Sequence, residues 1–169
     1  MQLPHDTFVV VADGRKMLFF RNEGDGDYPH LVVEHARVHP SPKDREQKSD
    51  AAGGASSTQA GANAPGGAVG GDRHALGGGA QFAPSRGTME ETDFHQLEED
   101  RFAAETAEFL KQRALAHEYE SLVVVAPPKT LGELRKHYHK EVTDRLVGEL
   151  DKDLTRLTVP DIEAVISAA

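Results

Sequence analysis

The sequence predicts one layered α/β domain over residues 1–169, with a mixed five-stranded sheet in the order βββαβαβα and a long disordered insertion. Three observations predict it. Leu122-Val-Val-Val-Ala126 is a short, unbroken apolar run, the composition of a strand buried on both faces. Phe8-Val-Val-Val-Ala12 and Met17-Leu-Phe-Phe20 are apolar runs separated only by Asp13-Gly-Arg-Lys16, a hairpin signal that expects Gly14 at positive φ. Residues 51–80 hold ten of the sixteen glycines and lack any apolar periodicity.

The remaining elements follow in order. Asn22-Glu-Gly-Asp-Gly-Asp27 is a turn, and residues 29–38 are the third strand. Simple alternation there puts Val32, Ala36 and Val38 on one face and His35, Arg37 and His39 on the other. Residues 49–92 are the flexible insertion, too poor in large apolar side chains to offset the entropy of ordering them. Asp93 is placed to cap a long helix, with Gln96 at the capping-box position. Phe102, Ala103, Thr106, Phe109, Leu110 and Ala114 form its apolar stripe, and Glu98, Glu99 and Asp100 suit its positive end. After the Leu122 strand, Pro127-Pro128 stops the ladder, and Thr130 with Glu133 reads as a capping box. Residues 141–151 carry Val142, Leu146 and Leu150 at helical spacing, Leu154-Thr-Arg-Leu157 is a strand candidate, and Pro160 opens a last helix. This order resembles that of ribonuclease-H-like sheets, in which strands one, three, four and five end on a single edge.

Composition narrows the chemistry. The chain has no cysteine, which excludes disulfides, thiolate metal sites and cysteine nucleophiles. Mean hydropathy is −0.52, no apolar run reaches membrane-spanning length, and the N-terminal residues lack a signal-peptide pattern, so a soluble cytoplasmic protein without membrane contact is expected. A net charge of −9 opposes general binding to nucleic acid and confines any such contact to a local basic patch. The nine histidines offer no compact ligand spacing. His35 and His39 would stand roughly 13 Å apart on a strand, and His137 and His139 would diverge on a helix. Asp25-Gly-Asp27 lacks the other ligands of a calcium loop, and neither a phosphate-binding loop nor a nucleophile elbow is present. No metal and no cofactor is expected.

Val9-Val-Val-Ala-Asp-Gly14, Lys43-Asp-Arg-Glu46, Gly71-Asp-Arg-His-Ala75, Leu122-Val-Val-Val-Ala-Pro-Pro128 and Glu149-Leu-Asp-Lys-Asp-Leu154, in this order, resemble the bacterial host-attachment protein family. That family is also described as a bacterial relative of archaeal and eukaryotic release factors. The resemblance implies the fold of the central domain of eukaryotic-type peptide-chain release factors. In that domain a long loop before the first long helix carries a Gly-Gly-Gln motif for peptidyl-tRNA hydrolysis. The matching tract here is Gly77-Gly-Gly-Ala-Gln81, in which Ala80 displaces the glutamine.

With this topology, the strand-end turns bring Asp13, Arg15, Lys16, His39, Lys43, Arg45 and Lys129 to one edge, and the insertion hangs Arg73 and His74 from it. Arg135, Lys136 and Lys140 add charge on the following helix. Such a set suits phosphate or RNA, and equally suits a scattered, solvated group of basic residues. The reading drawn from the sequence is a non-enzymatic binding module of the translation-factor type, contacting ribosome or tRNA. The competing reading is a factor that acts indirectly in bacterial attachment to host cells.

Overall fold

The computed structural model describes residues 1–39 and 87–169, with helical side chains from residue 92 onward. Five strands, β1 (Phe8–Ala12), β2 (Lys16–Asn22), β3 (Leu31–Val38), β4 (Leu122–Val125) and β5 (Leu146–Leu150), form one sheet in the order β3-β2-β1-β4-β5. The helices are α1 (Gly87–Leu115), α2 (Pro128–His137), a single turn α3 (Lys140–Thr143) and α4 (Val159–Ser167). β1 runs parallel to β4 and β4 to β5, while β2 is antiparallel to both β1 and β3. The carboxyl ends of β1, β3, β4 and β5 therefore share one edge, as the sequence predicts.

The sheet is covered on both sides because β1 and β4 have no polar face. Every residue of β1 and β4 is buried. Phe8, Val10, Leu122 and Val124 pack with Phe102, Ala103, Ala107 and Leu110 of α1, Leu131 and Leu134 of α2, and Val142 of α3. Val9, Val11, Val123 and Val125 point to the other side, against Leu154 and Ile162 and Ile166 of α4. Thr158 caps α4, its hydroxyl accepting from Asp161 N, and Pro160 sits in the first turn where no amide partner is needed.

Several local expectations are corrected. Residues 49–86 of the expected insertion lie outside the described residues, but 87–92 are already helix, so Asp93 is interior to α1 and caps nothing. Gln96 instead donates to Asp100 Oδ1 at 2.6 Å. Glu98, Glu99 and Asp100 accordingly stand three turns into α1, beyond the helix end where its dipole acts. α2 begins at Pro128, with Pro127 as its cap residue and no side-chain cap; proline at the first helical position needs no amide partner, and Thr130 falls within the first turn.

Residues 141–151, expected as helix, hold only α3 and then β5. Leu146, Gly148 and Leu150 also alternate with period two, and pairing with β4 selects that period over the helical one. Leu154-Thr-Arg-Leu157 is a turn rather than a strand, fixed by burial of Leu154 and Thr155.

In β3 the ladder to β2 slips between Phe19 and Phe20, leaving Glu34 as an extra residue. The slip reverses the alternation: Val32 pairs with Arg21 on the α1 side, while Ala36 and Val38 pair with Leu18 and Lys16 on the α4 side. His35 stacks on Phe109 at 4.8 Å, so the polar-looking face of β3 is the one turned to α1.

Two outcomes follow from this core. Val124→Asp places an unpaired carboxylate in the core between β4 and the helices α1 and α2, and the expected loss is several kcal/mol, read as unfolding or a large drop in the urea midpoint. Tyr119 donates to Leu110 O at 2.8 Å, and burial pushes its phenol up from about 10 to about 12. The native state thus retains a proton that the unfolded chain releases, so this contribution to stability is intact below pH 10 and lost as pH rises toward 12. Tyr119→Phe should make the fall of Tm across that window shallower, although it removes a hydrogen bond worth about 1 kcal/mol.

Candidate functional site

The edge formed by the carboxyl ends of β1, β3, β4 and β5 is built around the β1–β2 hairpin. Asp13 N donates to Lys16 O at 2.9 Å, and Asp13 Oδ1 accepts from the amides of both Arg15 and Lys16 at 2.6 Å. An aspartate closing its own turn in this way makes positive φ unnecessary, and Gly14 does not adopt it. Glycine is needed there for close approach: a Cβ on Gly14 would lie 2.6 Å from Cγ of Glu99.

The second oxygen of Asp13 ties the hairpin to a distant loop. Thr155 Oγ1 lies 2.9 Å from Asp13 Oδ2 and 2.7 Å from Asp153 Oδ1, and Lys16 Nζ donates to Thr155 O at 2.7 Å. Thr155 is buried. One hydroxyl proton serves two carboxylates, while the Lys16 ammonium is held on the carbonyl of the same threonine.

From the other side α1 lies over the hairpin and supplies acids. Lys129 Nζ pairs with Glu99 Oε2 at 2.6 Å. Glu105 takes His39 Nε2 at 3.2 Å, Arg37 at 3.4 Å and Arg101 at 3.3 Å. The His39 ring packs edge-on against Phe102 and its amide donates to Arg15 O at 2.8 Å, which fixes the end of β3 beside the hairpin. Arg15 Nη2 stands 3.4 Å from His95 Nδ1.

The edge thus gathers Asp13, Arg15, Lys16, His39 and Lys129 as the topology predicts, while Lys43, Arg45, Arg73 and His74 lie outside the described residues, as do Ala80 and Gln81. It is a charge-balanced edge more than a basic one. Arg135 is held by Glu149, whose hydrogen bonds push the guanidinium further up, and Lys136 is raised likewise by its bond to Glu133. A hollow of about 240 Å³ between α2 and β5, lined by Pro128, Leu131, Arg135, Glu149 and Asp151, opens on the same edge. Among the described residues no group of three or more His, Asp or Glu side chains is arranged to hold a metal ion.

Thr155, Asp153, Glu99, Glu105 and His95 are the members that sequence reasoning missed. The sequence pattern puts Thr155 in a strand and Glu99 at a helix end. Only the fold shows either of them against the hairpin.

The sequence profile of the bacterial archaeo-eukaryotic release factor family 12 matches residues 6–166, and the chain belongs to that family. No curated protein matches it. No helix among the described residues is long and apolar enough to cross a membrane.

Thr155→Val keeps the volume of the side chain and removes its hydroxyl. The hairpin should loosen from the β5–α4 loop at a cost of about 1–3 kcal/mol, with Thr155→Ser retaining most of the stability in urea denaturation. Equal midpoints for the valine variant and the parent would show that the bridge adds nothing.

Proposed function

We propose that this member of the release factor family is a non-catalytic RNA-binding domain of the cytoplasm that contacts the ribosome or tRNA through the hairpin edge. The observation that carries the reading is the family match across residues 6–166, in a chain whose sheet edge gathers Arg15, Lys16 and Lys129. Phosphate contacts by such side chains give affinity without sequence specificity, which suits a factor that meets RNA already placed by other components.

The non-catalytic part of the reading is supported by how the acids are used. β1 contains no carboxylate, and β4 is followed by Ala126-Pro-Pro128. Both oxygens of Asp13, in the turn beyond β1, are engaged by the hairpin amides and Thr155. For peptidyl-tRNA cleavage, Ala80 separates Gln81 from the glycines that would present it.

Purified protein should sediment with ribosomes or retain tRNA at low salt, the affinity falling roughly ten- to a hundredfold between 50 and 200 mM salt. Ribosome-dependent peptide release and magnesium- or manganese-dependent RNA cleavage should both be absent. Peptide release abolished by Gln81→Ala, or RNA cleavage abolished by Asp13→Asn, would overturn the non-catalytic reading. Absence of sedimentation and of tRNA retention at every salt concentration would overturn the binding reading.

A further inference from the structure

The hairpin edge already holds an anion, and the protein supplies it. The carboxylate of Glu99 bonds Lys129 Nζ at 2.6 Å, and its side chain lies across Gly14, where the backbone presents no Cβ. The next residue, Arg15, reaches only an imidazole nitrogen at 3.4 Å, so among the described residues its charge has no carboxylate partner. An ammonium and a bare glycine backbone therefore flank one carboxylate, and the guanidinium of Arg15 meets the same helix at His95, one turn before Glu99.

We infer that this is a phosphate position held by an internal competitor, and that an RNA phosphodiester docks there by replacing the Glu99 carboxylate on Lys129. The inference rests on the RNA-binding reading above and adds the contact and its control. Carboxylate and phosphate oxygens accept from the same ammonium donors, so the exchange conserves the bond type at Lys129. The pair is also easily opened. The Lys129 side chain is 60% exposed and that of Glu99 32%, and ion pairs with that much access to water are weak. Rotation of the Glu99 side chain between staggered states clears the space over Gly14 without moving α1, whose register is fixed by buried Phe102 and Ala103.

Competition predicts an unusual sign: removing a surface acid should strengthen one particular contact. Every Glu→Gln change on a chain of net charge −9 reduces general repulsion of RNA, so a control of equal charge is required. Glu120 provides it, being exposed just before β4 at the opposite edge of the sheet. Binding of purified tRNA at low salt should tighten about three- to tenfold in Glu99→Gln and less than about twofold in Glu120→Gln. The excess should vanish when Lys129→Ala is also present, and Glu99→Ala should act in the same direction as Glu99→Gln. Urea midpoints close to that of the parent would show the variants folded. If Glu99→Gln and Glu120→Gln behave alike, or the gain survives loss of Lys129, the inference falls while the RNA-binding reading stands. If neither the parent nor Glu99→Gln retains tRNA or sediments with ribosomes at low salt, both fall.

Discussion

The parallel pairing of β1 with β4 is the constraint on which the remaining geometry depends. Phe8 opposes Leu122, Val9 opposes Val123, and Val10 and Val11 oppose Val124 and Val125. Parallel strands cannot be joined by a tight turn, so the chain between them must cross a face of the sheet. α1 lies on that crossing. Because neither strand has a polar face, a second layer must cover the opposite side, and α4 with Leu154 does so. The two cores fix where α1 lies along the sheet, and hence where its acids fall. A change in the register of β1 against β4 would carry the hairpin out from under Glu99 and separate Asp13 from Thr155.

Electrostatics at the edge follows from that placement. The chain is acidic, yet the edge is close to neutral, because α1 presents Glu99 and Glu105 to Lys129 and His39. Pairs of this kind, partly open to water, add little to stability. What they do is set which cations remain available to a ligand and how much charge must move for the others to become so. Arg15 is open to a ligand among the described residues; Lys129 becomes so only when its carboxylate leaves.

The fold was legible in the sequence where one pattern had no competitor. Leu122 to Ala126 is too short for a helix and too apolar for a loop, and Phe102, Ala103, Thr106, Leu110 and Ala114 admit only a helical face. Legibility ended where two periods fit the same residues. Val142, Leu146 and Leu150 satisfy a spacing of four, while Leu146, Gly148 and Leu150 satisfy a spacing of two, and only the neighbouring strand decides. The extra residue at Glu34 was equally invisible, since a bulge is a property of two strands together. At the edge, the basic residues could be named from the topology but their partners could not. Glu99 is 30 residues from Lys129 and Thr155 is 142 from Asp13, and no local rule connects them.

Asp13 shows how a carboxylate at a sheet edge can be given over to structure. A carboxylate just beyond the first strand stands where clustered acids could hold metal ions, provided its oxygens face outward with lone pairs to offer. Here two amides claim one oxygen and the Thr155 hydroxyl approaches the other. The carboxylate has become part of the turn: it fixes the hairpin, and through Thr155 it fixes the loop that leads into α4. The Lys16 ammonium lies on the carbonyl of the same threonine, so the positive charge is drawn into the lock as well. The consequence is a pinned hairpin that exposes the guanidinium of Arg15, while Glu99 lies across the backbone at Gly14. A backbone pinned in this way presents its turn in one geometry, so any contact made there costs little further ordering of the hairpin itself.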